Sequence, residues 1–127
     1  YHFWMYSVFC VPARFILEHL EGDIRVTGLM TNLFLIFWGM WLILRLKEFT
    51  QGQRIVLALF LGVSPTLFYL DWIHSEVFSA VLVFMATVYY SVQRKYLSLF
   101  LLSLAATQNP TLAIPALFVF IEILIYY

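Results

Sequence analysis

The sequence predicts an all-α protein, a multi-pass transmembrane helical bundle of about four to five membrane segments with an N-terminal interfacial helix. Three observations carry that prediction. Of the 127 residues, 64% are hydrophobic and only 11% are charged. Soluble domains of this length are about half apolar and about a quarter charged, so water alone cannot solvate this surface. Mean hydropathy is +0.92. The apolar runs are continuous, as in "LFLIFWGMWLIL", whereas a β-barrel alternates apolar and polar residues in segments of about ten.

The elements follow in chain order. Residues 1–20 are rich in aromatics but interrupted by Pro12, Arg14 and Glu18. That pattern suits an interfacial helix or a tilted partial span. Arg14 and Glu18 are four apart, and this spacing lets them pair across one helical turn. Residues 24–46 supply the roughly 20 apolar residues that a bilayer core requires. A polar turn, "KEFTQGQR" over 47–54, leads to a shorter span over 55–70, in which Ser64-Pro65 is expected to place a kink. The stretch "DWIHS" over 71–75 opens a third span, 76–93. A basic turn at 94–96 precedes a half-helix over 97–106, too short at about 15 Å to cross a bilayer. "TQNP" breaks it, and a return helix runs over 111–127. The chain starts without Met and stops inside an apolar run, so it reads as an internal fragment of one larger transmembrane domain.

Charge sets the expected orientation. Arg45, Lys47 and Arg54 flank one turn, and Arg94 and Lys95 mark another. Two spans separate these turns, so both are expected on one side, the cytoplasmic one by the positive-inside rule. Residues 71–75 and 107–110 then face the extracytoplasmic side, with Glu18, Glu21 and Asp23.

Polar chemistry is sparse. Net charge is zero and no basic RNA-binding motif is present, so no nucleic-acid partner is expected. The lone Cys10 cannot form an internal disulfide and reads as a small buried hydrophobe. No P-loop, GxGxxG, CxxC or GxxxG occurs. His74 and Glu76 are two apart and His2 and His19 are distant, so no metal site is expected. Ser75, His74 and Asp71 make no triad, because adjacent side chains point apart and no nucleophile elbow surrounds Ser75.

Two stretches remain as candidate sites. In the first, one reading has Asp71, His74 and Glu76 facing a polar cavity that binds an anionic or hydroxylated substrate. Equally, Asp71 and Ser75 are N-caps, Glu76 suits a helix dipole and Trp72 anchors the interface. In the second, Gln108 and Asn109 donate and accept hydrogen bonds suited to sugar hydroxyls. The alternative is a simple kink between Pro110 and Pro115. Glu122 is an intramembrane carboxylate, functional by default, although a structural or interface role is the stronger reading. Thr31 and Asn32 are expected to bond between helices rather than to substrate.

The stretch "SPTLFYLDWIHSEVFSAVLVFMATVYY", then a basic turn and "LSLFLLSLAATQNPTLAIPALFVF", resembles the GT-C superfamily of multi-pass glycosyltransferases, which includes protein mannosyltransferase-like and GPI mannosyltransferase-like enzymes. The matching positions are Pro65, Ser75-Glu76, Arg94-Lys95, Gln108-Asn109-Pro110 and Pro115. One departure is Gln108, where many relatives carry Arg or Lys. The resemblance implies transfer of a sugar from a polyprenyl-phosphate-linked donor to an extracytoplasmic acceptor. It also implies a catalytic base in a loop upstream of Tyr1, outside this chain. The implied partners are the bilayer and the lipid-linked donor. No cofactor is expected within the chain, and a divalent cation in the complete enzyme stays open. A transporter segment, with broken helices and midplane polar groups, is the competing function. A polymerase or ligase of surface polysaccharides is a third.

Overall fold

The computed structural model describes residues 4–64 and 76–126, with the backbone alone at Trp4. Among the described residues there are six α-helices and no strand. They are α1 (Trp4–His19), α2 (Thr27–Arg45), α3 (Gln51–Gly62), α4 (Glu76–Ser91), α5 (Lys95–Ala106) and α6 (Ala113–Tyr126). The all-α class expected from the apolar runs is what the chain adopts.

The number of membrane spans is not established by this fold. Among the described residues one helical segment, Ile24–Arg45, is long and apolar enough to cross a membrane by length and composition. Helices Glu76–Ser91, Lys95–Ala106 and Pro110–Tyr126 are apolar but shorter. The 16 residues of α4 extend about 24 Å, less than the roughly 30 Å of a hydrocarbon core. Four to five spans therefore stands as an expectation.

Local chemistry explains the boundaries. Glu21 adopts a left-handed φ of 52°, which turns the Gly22 amide back onto the Leu17 carbonyl and closes α1. Asp23 then accepts a hydrogen bond from the Arg25 amide at 2.9 Å and starts a 3-10 turn, Ile24–Val26, that leads into α2. The polar turn expected over 47–54 is shorter than that. Thr50 and Gln53 form a reciprocal capping box, which satisfies two open amides and draws Gln51–Arg54 into α3. Ser64 donates to the Leu61 carbonyl at the end of α3; Pro65, and with it the kink, lies outside the described residues. The hairpin between α4 and α5 closes through Gln93, at φ 62°. The amides of Gln93 and Arg94 reach the carbonyls of Tyr90 and Tyr89, the Schellman pattern. Asn109 caps a second 3-10 turn, Pro110–Leu112, between α5 and α6.

Neighbours in sequence pack as neighbours in space: α2 on α3, α4 on α5 and α5 on α6, with α2 also meeting α4. The core is the interior face of α4 (Val77, Phe78, Val81, Leu82, Met85, Ala86) against Leu35 and Ile43 of α2 and Leu101 and Ala105 of α5. Gly39 lets α2 approach α3 and α4. A Cβ there would lie 2.8 Å from Leu61 Cδ2 and 3.4 Å from Val81 Cγ1.

Helix α1 packs on α2, with Tyr6 reaching Gly28 and Asn32 and residues from Val8 to Ile16 lining a groove shared with Met30 to Leu35. The Tyr6 and Phe9 rings continue across to Phe78 near the start of α4, with centroids 6.1 and 5.0 Å away. Helix α1 thus touches the N-terminal half of α2 and the start of α4.

Candidate functional site

The bundle has two chemically different ends. At the first, α1 contacts α2 and the start of α4. Among the described residues this end holds Arg14 and Arg25 against Glu18, Glu21, Asp23 and Glu76. At the second, the turns 46–50 and 92–94 are joined by an ion pair between Arg94 and Glu48. Lys95 pairs there with Glu122 at 2.7 Å.

The sequence candidates divide between these ends and the undescribed stretch. Asp71 and His74 lie outside the described residues. Glu76 is the first residue of α4, exposed, where its carboxylate complements the positive end of the helix. Antiparallel pairing of α4 and α5 brings the start of α4 and the end of α5 to the same end of the bundle, so Glu76 and Gln108 share it. Gln108 is 9% exposed. Its Nε2 reaches Thr107 Oγ1 at 3.5 Å, while its Oε1 is buried without a hydrogen-bond partner among the described residues. An unpaired buried carbonyl costs about 1–3 kcal/mol, so this acceptor is either a cost the fold tolerates or one half of a binding contact. Asn109 plays a different part. Its Oδ1 accepts from the Thr111 amide at 3.2 Å and from Thr111 Oγ1 at 2.7 Å, an Asx cap that holds the break open ahead of α6.

Residues beyond those candidates join the same end. The Tyr6 hydroxyl donates to Asn32 Oδ1 at 2.9 Å, with the Gly28 carbonyl 3.4 Å away. Asn32 is fully buried and takes this bond from another helix. Thr31 instead donates to the Thr27 carbonyl within its own helix, because its hydroxyl reaches back one turn. Burial first, then the adjacent Cys10 thiol and further off the Glu76 carboxylate, push the Tyr6 phenol above its ordinary range. Tyr6 therefore stays a neutral donor. Cys10 is half-buried against the core. Reading the sequence alone missed Tyr6. Its only mark was a polar-tipped aromatic one helical turn before Cys10, in a segment crowded with aromatics.

Glu122 is engaged at the opposite end. Its Oε1 accepts from Lys95 Nζ and its Oε2 from the Tyr90 hydroxyl, each at 2.7 Å. This arrangement is an interhelical tie, with Lys95 on α5, Tyr90 on α4 and Glu122 on α6. Arg14 and Glu18 pair at 2.7 Å on the exposed side of α1. The Glu48 carboxyl is held below its ordinary value, first by its own backbone amide and then by the Arg94 guanidinium. Among the described residues no three His, Cys, Asp or Glu side chains gather as metal ligands.

Comparison of the chain with protein-family models, with curated proteins and with solved structures finds no match.

Proposed function

We propose that this chain is embedded in a bilayer and forms the membrane part of a glycosyltransferase of the GT-C kind, taking sugar from a polyprenyl-phosphate-linked donor. The resemblance of residues 64–90 and 97–120 to that superfamily supplies the reaction class. Lipid contact is supported by the surface: Phe34, Phe37, Phe60, Phe118 and Ile125 are each more than half exposed. Water is a costly neighbour for that much apolar area. In this reading α2, α3 with the residues after it, α4 and the α5–α6 hairpin are the four to five membrane segments. Tilt and local thinning accommodate the shorter helices. The end with Arg94 and Lys95 is cytoplasmic, and the end with Glu76 and Gln108 extracytoplasmic.

The observation that carries the site is Gln108 Oε1, a buried acceptor without a donor among the described residues, sharing its end with Glu76. A sugar hydroxyl is a donor that fits it. Asp71 and His74, which precede Glu76 in the chain and lie outside the described residues, belong in this reading to the same substrate site. An apolar groove of about 520 Å³ between α1 and α2 is continuous with the exposed apolar faces and suits an isoprenoid tail. The catalytic base belongs, in this reading, to a loop upstream of Tyr1.

The test uses the full-length protein in native membranes. Alkaline carbonate should leave it in the pellet; release into the supernatant would overturn the bilayer reading. Transfer from a panel of polyprenyl-phosphate sugars should fall about tenfold in Gln108→Leu, the effect of one neutral hydrogen bond, with the protein at least as stable as the parent. Unchanged transfer in that variant would remove Gln108 from the site. A second reading, a transporter segment, is favoured by the Lys95–Glu122–Tyr90 tie between three helices. Substrate uptake without sugar transfer in proteoliposomes would select it.

A further inference from the structure

Five of the seven basic side chains, Arg45, Lys47, Arg54, Arg94 and Lys95, stand at the end of the bundle formed by the turns 46–50 and 92–94. Two carboxylates share that end among the described residues, and each already holds a cation: Glu48 holds Arg94 and Glu122 holds Lys95. Arg45, Lys47 and Arg54 have no carboxylate partner among the described residues. The end therefore keeps a surplus of three positive charges.

Arg54 is the fixed member. Its Nη1 donates to the Leu44 carbonyl at 3.0 Å, one of the open carbonyls in the last turn of α2. Its Nε is buried and has no acceptor among the described residues, so the guanidinium is held in place yet incompletely satisfied. A pocket of about 190 Å³ lies beside it, lined by Leu44, Gln51, Arg54 and Ile55. Leu44 and Ile55 are themselves nearly half exposed, so the pocket opens where apolar surface meets polar. Arg45 stands over the Trp41 ring, 4.6 Å from its centroid, at the same level. Tryptophan and arginine together mark a membrane–water boundary.

We infer that this pocket takes the phosphate of an anionic phospholipid headgroup, bound by Arg54 with Lys47 and Arg45 adding to the field. A planar guanidinium presents paired donors that match phosphate oxygens. Basic pockets between helices at the cytoplasmic level are where such headgroups bind. The apolar rim selects a lipid over a free anion, because acyl chains can lie along Leu44 and Ile55. The inference rests on the bilayer reading above, but not on the sugar-transfer reading.

The test reconstitutes the full-length protein in nanodiscs of phosphatidylcholine, alone or with a minor fraction of phosphatidylglycerol, and counts retained lipid by native mass spectrometry. Phosphatidylglycerol should be retained over phosphatidylcholine, and Arg54→Gln should weaken its retention about tenfold or more, the effect of a charge-assisted hydrogen bond. Arg54 also caps α2, so Lys47→Gln, an exposed turn residue, provides a second variant that leaves packing intact. It should weaken retention several-fold, while Arg14→Gln at the opposite end should leave it unchanged. Equal retention of the two lipids, or retention unaffected by both Arg54→Gln and Lys47→Gln, overturns the site. Inorganic phosphate displacing the lipid at matched concentration overturns the lipid assignment. Failure to enter phosphatidylcholine nanodiscs overturns the bilayer reading together with this one, whereas insertion without lipid preference overturns this one alone.

Discussion

Replacing Tyr6 by Phe should loosen the docking of α1 on α2 by about 1 kcal/mol. The change deletes one oxygen. The ring remains, with its edge contact to Phe78 at 6.1 Å and 62°. What is lost is the 2.9 Å hydrogen bond to Asn32 Oδ1, between two groups 3% and 0% exposed. A neutral intramolecular hydrogen bond contributes about 1 kcal/mol net, and leaving a buried acceptor unmatched costs about 1–3 kcal/mol. In a bilayer the unfolded reference also finds partners, which brings interhelical bonds down to about 0.6 kcal/mol on average and about 1.7 kcal/mol at most. The short distance and complete burial put this bond in the upper half of that range. A double-mutant cycle isolates it. Tyr6→Phe, Asn32→Leu and the double variant would be unfolded at equilibrium by sodium dodecyl sulfate in mixed micelles. The double variant should be less destabilised than the sum of the single ones, by about 1 kcal/mol. Coupling below about 0.3 kcal/mol is the scatter of independent sites. It would mean that α1 is held by ring packing and not by this bond.

Substitutions at three further positions have defined outcomes. Gly39→Ala should be close to neutral, since the Leu61 methyl can move and alanine favours the helix. Gly39→Leu should cost about 1–3 kcal/mol by overpacking against Leu61 and Val81, measured by the same unfolding assay. Gln93→Gly should stabilise by about 1 kcal/mol, because glycine occupies a φ of 62° without the Cβ penalty. An unchanged midpoint would assign the Gln93 side chain a compensating contact. Glu48 has a depressed folded value, so its pairing stabilises above the ordinary carboxylate value of 4.5 and is lost as pH falls through the depressed one. Acid unfolding followed downward from neutral pH should therefore be shallower for Glu48→Gln between 4.5 and the depressed value. Equal acid sensitivity would count against the Arg94–Glu48 tie.

Much of the chain's local structure was legible in the sequence. Continuous apolar runs excluded strands, and Gln108-Asn109-Pro110 marked a break because proline removes a donor and asparagine caps. The start of α3 was also written there, as Thr50 with Gln53 three residues on, but the charged residues around it made the whole stretch read as a turn. The partners of Glu122 were not legible. Lys95 is 27 residues away and Tyr90 is 32, and no local rule joins them. Gln108 stood out as a polar residue at a break, but its unpaired oxygen became visible only once the helices around it were packed.

The sequence by itself determined that this protein is helical, where its helices turn, and that its cations cluster at two turns. These properties follow from interactions within a few residues: hydrogen bonds to near neighbours, caps, and runs of one polarity. Only the tertiary structure decided which faces meet. Helices α2, α4 and α6 are apolar around most of their circumference, so no stripe in the sequence fixes their rotation. Small and polar side chains fix it instead, through contacts distant along the chain. Gly39 admits Leu61, Tyr6 binds Asn32, and Glu122 joins Lys95 and Tyr90. Those few contacts set α1 against one end of the bundle and left Arg54 unsatisfied at the other.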